Sequence, residues 1–293
     1  MKSLILAASV LSGCFNSGNV STTQPTGPSD PAQPAKVSYL CVGMEKSKRF
    51  GECPGCEVDA KHLSSLMTQM FGYKGTTLIS EQATKAAVVA KLKEGLEGTG
   101  EDGLFLFFYS GHGGQEYLGG KEPDGADRMD EYLCLYDSHM LDDEIWDLVC
   151  RCKGRVFLYF DACHSATMFK TVSKVPRKAE VASALAVDPS QIVKSSGFTF
   201  RPERHIVARA LSGEKAANPR LLCWSGCKEI EYSYGGSRGG YLTICVLNGF
   251  KKGISYGDLW TKAHDGVKAM EETQNPVQTY IGGGFTPDME AFR

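Results

Sequence analysis

What the chain lacks narrows its nature before any motif is read. No stretch of its 293 residues approaches the ~18 consecutive apolar residues that a membrane-spanning helix requires. Charge of one sign is missing as well: 32 Lys and Arg face 34 Asp and Glu, a net charge of −2 at pH 7. That balance gives no electrostatic reason to expect a nucleic acid or an anionic membrane surface as partner. Compositional bias is absent too. With 42% hydrophobic and 23% charged residues the chain is neither disordered nor collagen-like, and no internal repeat is visible. What is left is a globular chain long enough for one large domain or two small ones.

The first 36 residues are unlike the rest. Residues 1–14 begin Met-Lys, continue with the apolar run Leu4 to Leu11 and end Ser12-Gly13-Cys14, the layout of an export signal. Leu11-Ser12-Gly13-Cys14 resembles the lipobox of bacterial lipoproteins, which implies acylation of Cys14, export, and attachment to a membrane through lipid alone. Residues 15–36 are rich in Ser, Thr, Pro, Gly and Asn. They bury too little to offset their ordering entropy and read as a tether. The folded part is expected to span 37–293.

Strands and helices alternate from there. Val37 to Gly43, Thr76 to Ser80, Leu104 to Tyr109, Glu131 to Asp137, Arg155 to Phe160, Leu221 to Ser225 and Val277 to Ile281 read as strands. Leu104 to Tyr109 is apolar on both faces, as in the middle of a parallel sheet. Helical faces are marked by Ala60, Leu63, Leu66, Met67, Met70 and Phe71, by Val88, Leu92 and Leu96, by Asp142 to Cys150 with acids in its first turn, by Tyr241 to Phe250, and by Tyr256, Leu259, Trp260, Ala263, Val267 and Met270. The pattern predicts an α/β fold with a mostly parallel central sheet flanked by helices. Residues 166–220, with ten Lys or Arg against four Asp or Glu, break the rhythm and read as an irregular insert.

Two strand ends carry the chemistry. They are Tyr109-Ser110-Gly111-His112-Gly113-Gly114 and Asp161-Ala162-Cys163-His164-Ser165. Carboxyl ends of strands are where open α/β sheets build sites, and flanking glycines let the chain turn sharply. A His beside a Cys keeps the thiol as thiolate or takes its proton as attack begins. Cys163 follows His112 by 51 residues, near the spacing of about 50 found in caspases.

These two motifs resemble those of the caspase-like cysteine peptidases, and most of all the metacaspases. CEVDA (56–60), DGADRMDEYLCLYD (124–137) with LDDEI (141–145), WSGC (224–227) and GGYLT (239–243) are similar to further segments of that family, in its order. The resemblance implies a caspase-hemoglobinase-like sandwich, with a large-subunit-like part at 37–165, a basic intersubunit linker at 166–220 and a small-subunit-like part at 221–293. It also implies His112 as general base, Cys163 as nucleophile, and the N–H groups of Gly113 and Cys163 around the oxyanion. Cleavage after Arg or Lys is implied, with Asp161 and Glu229 as the acids that receive the basic side chain. No Arg suited to binding an Asp side chain stands beside the site.

The family's calcium ligands are matched by Asp142 and Asp143, but Lys170 stands where a further Asp is expected. A cation there opposes Ca²⁺, so no cofactor is expected to be required. Ala166 replaces the usual Gly after Cys-His-Ser. Asp124, Asp127 and Asp130 read as a solvated loop. Arg177, Lys178, Lys194, Arg201, Arg204, Arg209 and Arg220 offer bonds for self-cleavage.

Of eleven cysteines, Cys41, Cys134, Cys150 and Cys245 are expected in the core. Cys53-Pro54-Gly55-Cys56 and Cys223 with Cys227 have spacings that allow zinc, a redox pair or a disulfide. The leading expectation is a monomeric, lipid-anchored cysteine endopeptidase acting on peptides or proteins, with no nucleic-acid partner. The alternatives are a clostripain- or gingipain-like peptidase of the same fold, and an inactive surface lipoprotein that binds a peptide or protein.

Overall fold

Apolar runs and amphipathic stretches alternate in space as they do in the chain. The computed structural model of the protein describes residues 36–117, 129–164, 193–197, 200–201, 205, 219–228 and 231–293. Among them the elements are β1 (Val37–Gly43), α1 (Cys56–Phe71), β2 (Lys74–Ile79), α2 (Lys85–Glu97), β3 (Leu104–Tyr117), β4 (Met129–Cys134), β5 (His139–Leu141), α3 (Asp142–Val149), β6 (Arg155–His164), β7 (Val193–Gly197), β8 (Arg220–Ser225), β9 (Tyr232–Gly236), β10 (Gly239–Gly240), α4 (Tyr241–Gly249), α5 (Tyr256–Met270) and β11 (Val277–Ile281).

Local chemistry sets the helix ends. Thr84 Oγ1 accepts from Ala87 N–H at 3.2 Å ahead of α2, and Ser255 Oγ accepts from Asp258 N–H at 3.0 Å ahead of α5. At α3 the first turn holds Asp142, Asp143 and Glu144, and Glu144 reaches back to accept from Leu141 N–H at 3.0 Å. Acids there complement the helix dipole.

The sheet runs β2-β1-β3-β6-β8 in parallel, and β11 closes the β8 edge antiparallel. Beyond Phe160, β6 leaves β8 and pairs instead with β7, which continues antiparallel to β9 and then β10. On the other side, the far half of β3 pairs antiparallel with β4, and β4 with β5. The sheet core is thus parallel, while its carboxyl edge fans into two small antiparallel extensions.

Period-two alternation divides the core. Tyr39, Cys41, Leu106, Phe108, Phe157, Tyr159, Leu222 and Trp224 pack on one face with residues of α1, α4 and α5. Leu40, Val42, Phe105, Phe107, Tyr109, Leu158, Phe160 and Cys223 pack on the other with residues of α2 and α3. Both faces are covered, which is why these strands read as continuous apolar runs.

Several expectations change. The stretch from Ser110 to Tyr117 continues β3 as a strand instead of turning at its glycines. Its glycines admit close neighbours: a Cβ on Gly111 would meet Met44 Cβ at 2.8 Å, and one on Gly114 would meet the Tyr132 ring. The insert at 166–220 contributes β7, and Arg220 is the first residue of β8. Asp130 is buried in β4, not solvated, and Cys150 is half-buried at the end of α3. Met70, assigned to the inner face of α1, is 47% exposed.

Candidate active site

The two motif strands lie side by side in register. Ser110 pairs with Asp161, Gly111 with Ala162, His112 with Cys163 and Gly113 with His164. His112 and Cys163 therefore stand one strand spacing apart, about 4.8 Å along the hydrogen-bonding direction. Gly113 is also the partner of Leu133 on β4, and Cys163 of Gly197 on β7. For Cys163 and His164 the structure describes the backbone. Cys14, Asp124, Asp127, Ala166, Lys170, Arg177, Lys178, Arg204, Arg209 and Glu229 lie outside the described residues.

His112 is 6% exposed, and its Nε2 lies 3.2 Å from the Glu52 carbonyl oxygen. A carbonyl only accepts, so this bond places the ring proton on Nε2. The Tyr109 hydroxyl sits 2.7 Å from the His112 carbonyl and 2.6 Å from that of Cys134. It fixes the backbone of the His motif against the end of β4.

Asp161 is buried at the register position of Ser110. Its Oδ2 accepts from Thr243 N–H at 2.8 Å and from Thr243 Oγ1 at 2.7 Å, and its Oδ1 from Ser233 Oγ at 3.1 Å. A second buried carboxylate, Asp59 of α1, accepts on Oδ2 from Ser110 Oγ at 2.7 Å and from Gly240 N–H at 2.9 Å. Both acids close on β10. A Cβ on Gly239, whose φ is 118°, would lie 2.0 Å from Asp59 Oδ1, and one on Gly240 would lie 2.3 Å from Asp161 Oδ2. Only glycine lets two carboxylates approach the same backbone this closely. The nearby Tyr159 hydroxyl registers this charge: burial first, then Asp161 and more weakly Asp59, raises its pKa well above the ordinary value.

Sequence reasoning noted CEVDA and GGYLT but gave Asp59 no role. The signal available was an acid one turn into a helix that opens beside a glycine pair.

The two calcium candidates meet a residue that sequence reasoning passed over. His205, 7% exposed, places Nδ1 2.8 Å from Asp143 Oδ1 and Nε2 3.3 Å from Asp142 Oδ2. Its ring stacks on Trp146 at 5.2 Å. Burial alone pulls its pKa down, but the bonds to Asp142 and Asp143 more than reverse this and hold it at about 9. The Asp142 carboxyl is correspondingly lowered: burial opposes ionisation, and His205 and then Asp130 outweigh it. Beside them, Glu131 pairs with Arg201 at 2.9 Å. Ca²⁺ takes six to eight oxygens at about 2.3–2.6 Å and has no use for an imidazole. Here an imidazolium and a guanidinium already face the carboxylates, so the donor set suits internal ion pairs and does not fit calcium as arranged.

A mostly parallel sheet between helical layers, with a His and a Cys paired on its two central strands, defines a caspase-type α/β protein. The chain belongs to the caspase-domain family, whose model matches residues 40–281. It is 28% identical over 241 residues to Metacaspase-1A of Aspergillus fumigatus, covering 71% of this chain and 58% of that protein. Metacaspase-1 of Coccidioides immitis is 25% identical over 280 residues, covering 82% of this chain and 60% of that one. The chain thus spans about half to six-tenths of the length of such curated relatives. Among solved structures, a Geobacter sulfurreducens protein superposes with a TM-score of 0.58 at 25% identity, covering 83% of this chain and 92% of that one. Caspase-1 of Spodoptera frugiperda does so with a TM-score of 0.53 at 14% identity, covering 87% and 93%.

Proposed function

We propose that the protein is a cysteine-type endopeptidase that cuts after Arg or Lys through His112 and Cys163. The observation that carries this reading is the direct register of these two residues on β3 and β6, with the buried carboxylate Asp161 two residues before Cys163 on the same strand. His112 Nδ1 takes the Cys163 proton, and the sulfur attacks the scissile carbonyl. The N–H groups of Gly113 and Cys163 receive the oxyanion. The imidazolium then protonates the leaving amine, and water hydrolyses the thioester with His112 again as base.

The basic preference rests on Asp161 and Asp59. Their named donors are hydroxyls and backbone N–H groups, which are neutral. Such donors orient the carboxylates, and a buried carboxylate so held forms strong charge-assisted bonds with a guanidinium or ammonium. Glu229 remains the acid suggested by the sequence. Calcium is not required in this reading, because His205 and Arg201 take a cation's place. Self-cleavage, where it occurs, uses bonds of the 166–220 segment other than those after Arg201, held by Glu131, and Arg220, which starts β8. Export through the first 14 residues, lipid attachment at Cys14 and a monomeric state complete the proposal.

Residues 37–293, within the compact unit Ala35–Arg293, are to be assayed on fluorogenic peptides ending in Arg, Lys, Asp or Ala, with Ca²⁺ and with chelator. Cleavage after Arg or Lys that vanishes in Cys163→Ala and His112→Ala is the expected result. Silence on every peptide from a folded protein with an unreactive Cys163 favours a peptide-binding module instead.

A further inference from the structure

The loop that touches His112 ends in two thiols. Cys53 and Cys56 are 7% and 5% exposed, and their Sγ atoms lie 2.7 Å apart. The chain between them is a tight turn: Cys56 N–H donates to the Cys53 carbonyl at 3.3 Å, and Gly55 adopts φ 92°. Glu45 holds the turn from below, its carbonyl accepting from Cys53 N–H at 2.9 Å and its carboxylate from Gly55 N–H at 3.2 Å. Cys56 is the first residue of the sixteen-residue helix α1. Two thiolates on one tetrahedral zinc, each at about 2.3 Å, stand about 3.8 Å apart, so sulfurs this close suit a bond to each other.

This turn is wedged into the site. Glu52, next to Cys53, supplies the carbonyl 3.2 Å from His112 Nε2. On its other side Gly55 abuts the backbone of Gly236 and Gly239, beside which Asp59 and Asp161 close on β10. We propose that Cys53 and Cys56 form a reversible disulfide that clamps residues 51–55 and holds the Glu52 carbonyl against His112, so that the redox state of this pair sets the reactivity of the site. The regulatory half rests on the reading of His112 and Cys163 as a dyad; the disulfide does not.

A low-molecular-weight disulfide is the oxidant. The Cys56 thiolate attacks one of its sulfurs, forming a mixed disulfide and expelling one thiolate. The Cys53 thiolate then attacks the Cys56 sulfur, closing the bond and expelling the second. Two electrons pass from the protein pair to the reagent, and the two thiol protons go to its leaving sulfurs. Since the sulfurs already touch, closure demands little movement. Since only two residues lie between them, the bond removes little chain entropy, so the pair belongs with exchangeable disulfides and not with permanent ones.

The test equilibrates the whole chain carrying Cys163→Ala in mixtures of reduced and oxidised glutathione, then alkylates and maps it, so that a lone oxidised thiol carries glutathione and a linked pair carries none. The expected result is joint loss of two alkylatable thiols and a peptide linking Cys53 to Cys56. Failure to form this bond in fully oxidised reagent, or a bond to another cysteine, overturns the site.

The wild type is then treated with iodoacetamide, and alkylation of the Cys163 peptide is followed in both redox states. The oxidised form is expected to react faster by up to about a hundredfold, the scale on which a displaced catalytic group is felt. In Cys53→Ser this difference should disappear. Equal rates in both states overturn the link to His112 while leaving the disulfide. Undiminished peptide cleavage in His112→Ala refutes the dyad reading, and the mass result stands apart from it.

Discussion

Thr243→Val isolates the device that aims Asp161. Thr243 is fully buried on α4, and its hydroxyl donates to Asp161 Oδ2 at 2.7 Å while accepting from the Tyr159 hydroxyl at 3.2 Å. Valine keeps the shape and removes both bonds. A hydrogen bond to a charged group contributes about 1.5–3 kcal/mol, and a buried hydroxyl deprived of its acceptor costs about 1–3 kcal/mol. The two losses share one side chain and overlap, so a destabilisation of about 3 kcal/mol is expected. Asp161 keeps the Thr243 backbone N–H at 2.8 Å and Ser233 Oγ at 3.1 Å, so the fold should survive. Urea unfolding followed by tryptophan fluorescence reads the stability, and steady-state cleavage of an Arg peptide reads the aim. KM should rise more than kcat falls, because a carboxylate that receives the substrate cation acts through binding. Thr243→Ser, which restores the hydroxyl, should recover most of both. A loss below about 0.5 kcal/mol, or a serine variant as impaired as valine, would refute the reasoning.

Other perturbations follow from the same geometry. His205, with a folded pKa of about 9 against an ordinary 6.5, contributes up to about 3 kcal/mol of stability. The shift is upward, so that contribution is complete below pH 6.5 and lost as pH rises through about 9, which chemical denaturation from pH 6 to 10 will show. His205→Ala should cost about 3 kcal/mol, since it leaves Asp142 buried without its counter-charge. It should also create a terbium-binding site sensitised by Trp146 that the wild type lacks; equal terbium binding by both would show that His205 does not fill the acidic pocket. Gly240→Ala drives a methyl to within 2.3 Å of Asp161 Oδ2 and should abolish cleavage after Arg or cost about 3 kcal/mol of stability; unchanged kinetics and stability would place Asp161 away from β10. Asp59→Asn should weaken cleavage after Arg relative to an uncharged residue, by about tenfold in kcat/KM, and an unchanged ratio would remove Asp59 from the specificity pocket.

Much of the sheet was legible because its strands are buried on both faces. Leu104 to Tyr109 and Arg155 to Phe160 announce themselves as apolar runs, and both occur as the central strands. The apolar faces of α2 and α5 were equally plain. β7, β9 and β10 were not: VKSSG, YSYGG and GG have little apolar content and several glycines. Their strand state comes from a neighbour already in place, β7 on the end of β6 and β9 on β7. The site divides in the same way. His112 and Cys163 carry their chemistry in their residue types, whereas Asp59 matters only because folding carries α1 to β10, 181 residues away along the chain. His205 was hidden for the same reason: a single His in a basic insert has no pattern, and its meaning comes from Asp142 and Asp143.

The two acidic systems of this protein obey one electrostatic rule with opposite outcomes. A buried carboxylate needs hydrogen bonds or a counter-charge to stay ionised, and which of them it receives decides whether it can recruit a cation. At α3 the counter-charge is internal, since His205 and Arg201 pair with Asp142, Asp143 and Glu131. An external cation gains there only by evicting them. At β10 the hydroxyls of Ser110, Ser233 and Thr243 and the N–H groups of Gly240 and Thr243 orient Asp59 and Asp161 through neutral dipoles. These neutral donors orient two buried charges in a low-dielectric place, and on the proposed reading that seat receives the basic side chain of the substrate. Exchanging the two arrangements in thought makes the point: a lysine at Ser233 would pair with Asp161 and close the pocket, just as His205 closes the acids at α3. Ser233→Lys should therefore suppress cleavage after Arg more strongly than Ser233→Ala in a folded protein, and equal activity of the two variants would show that charge at this seat is not what selects the substrate.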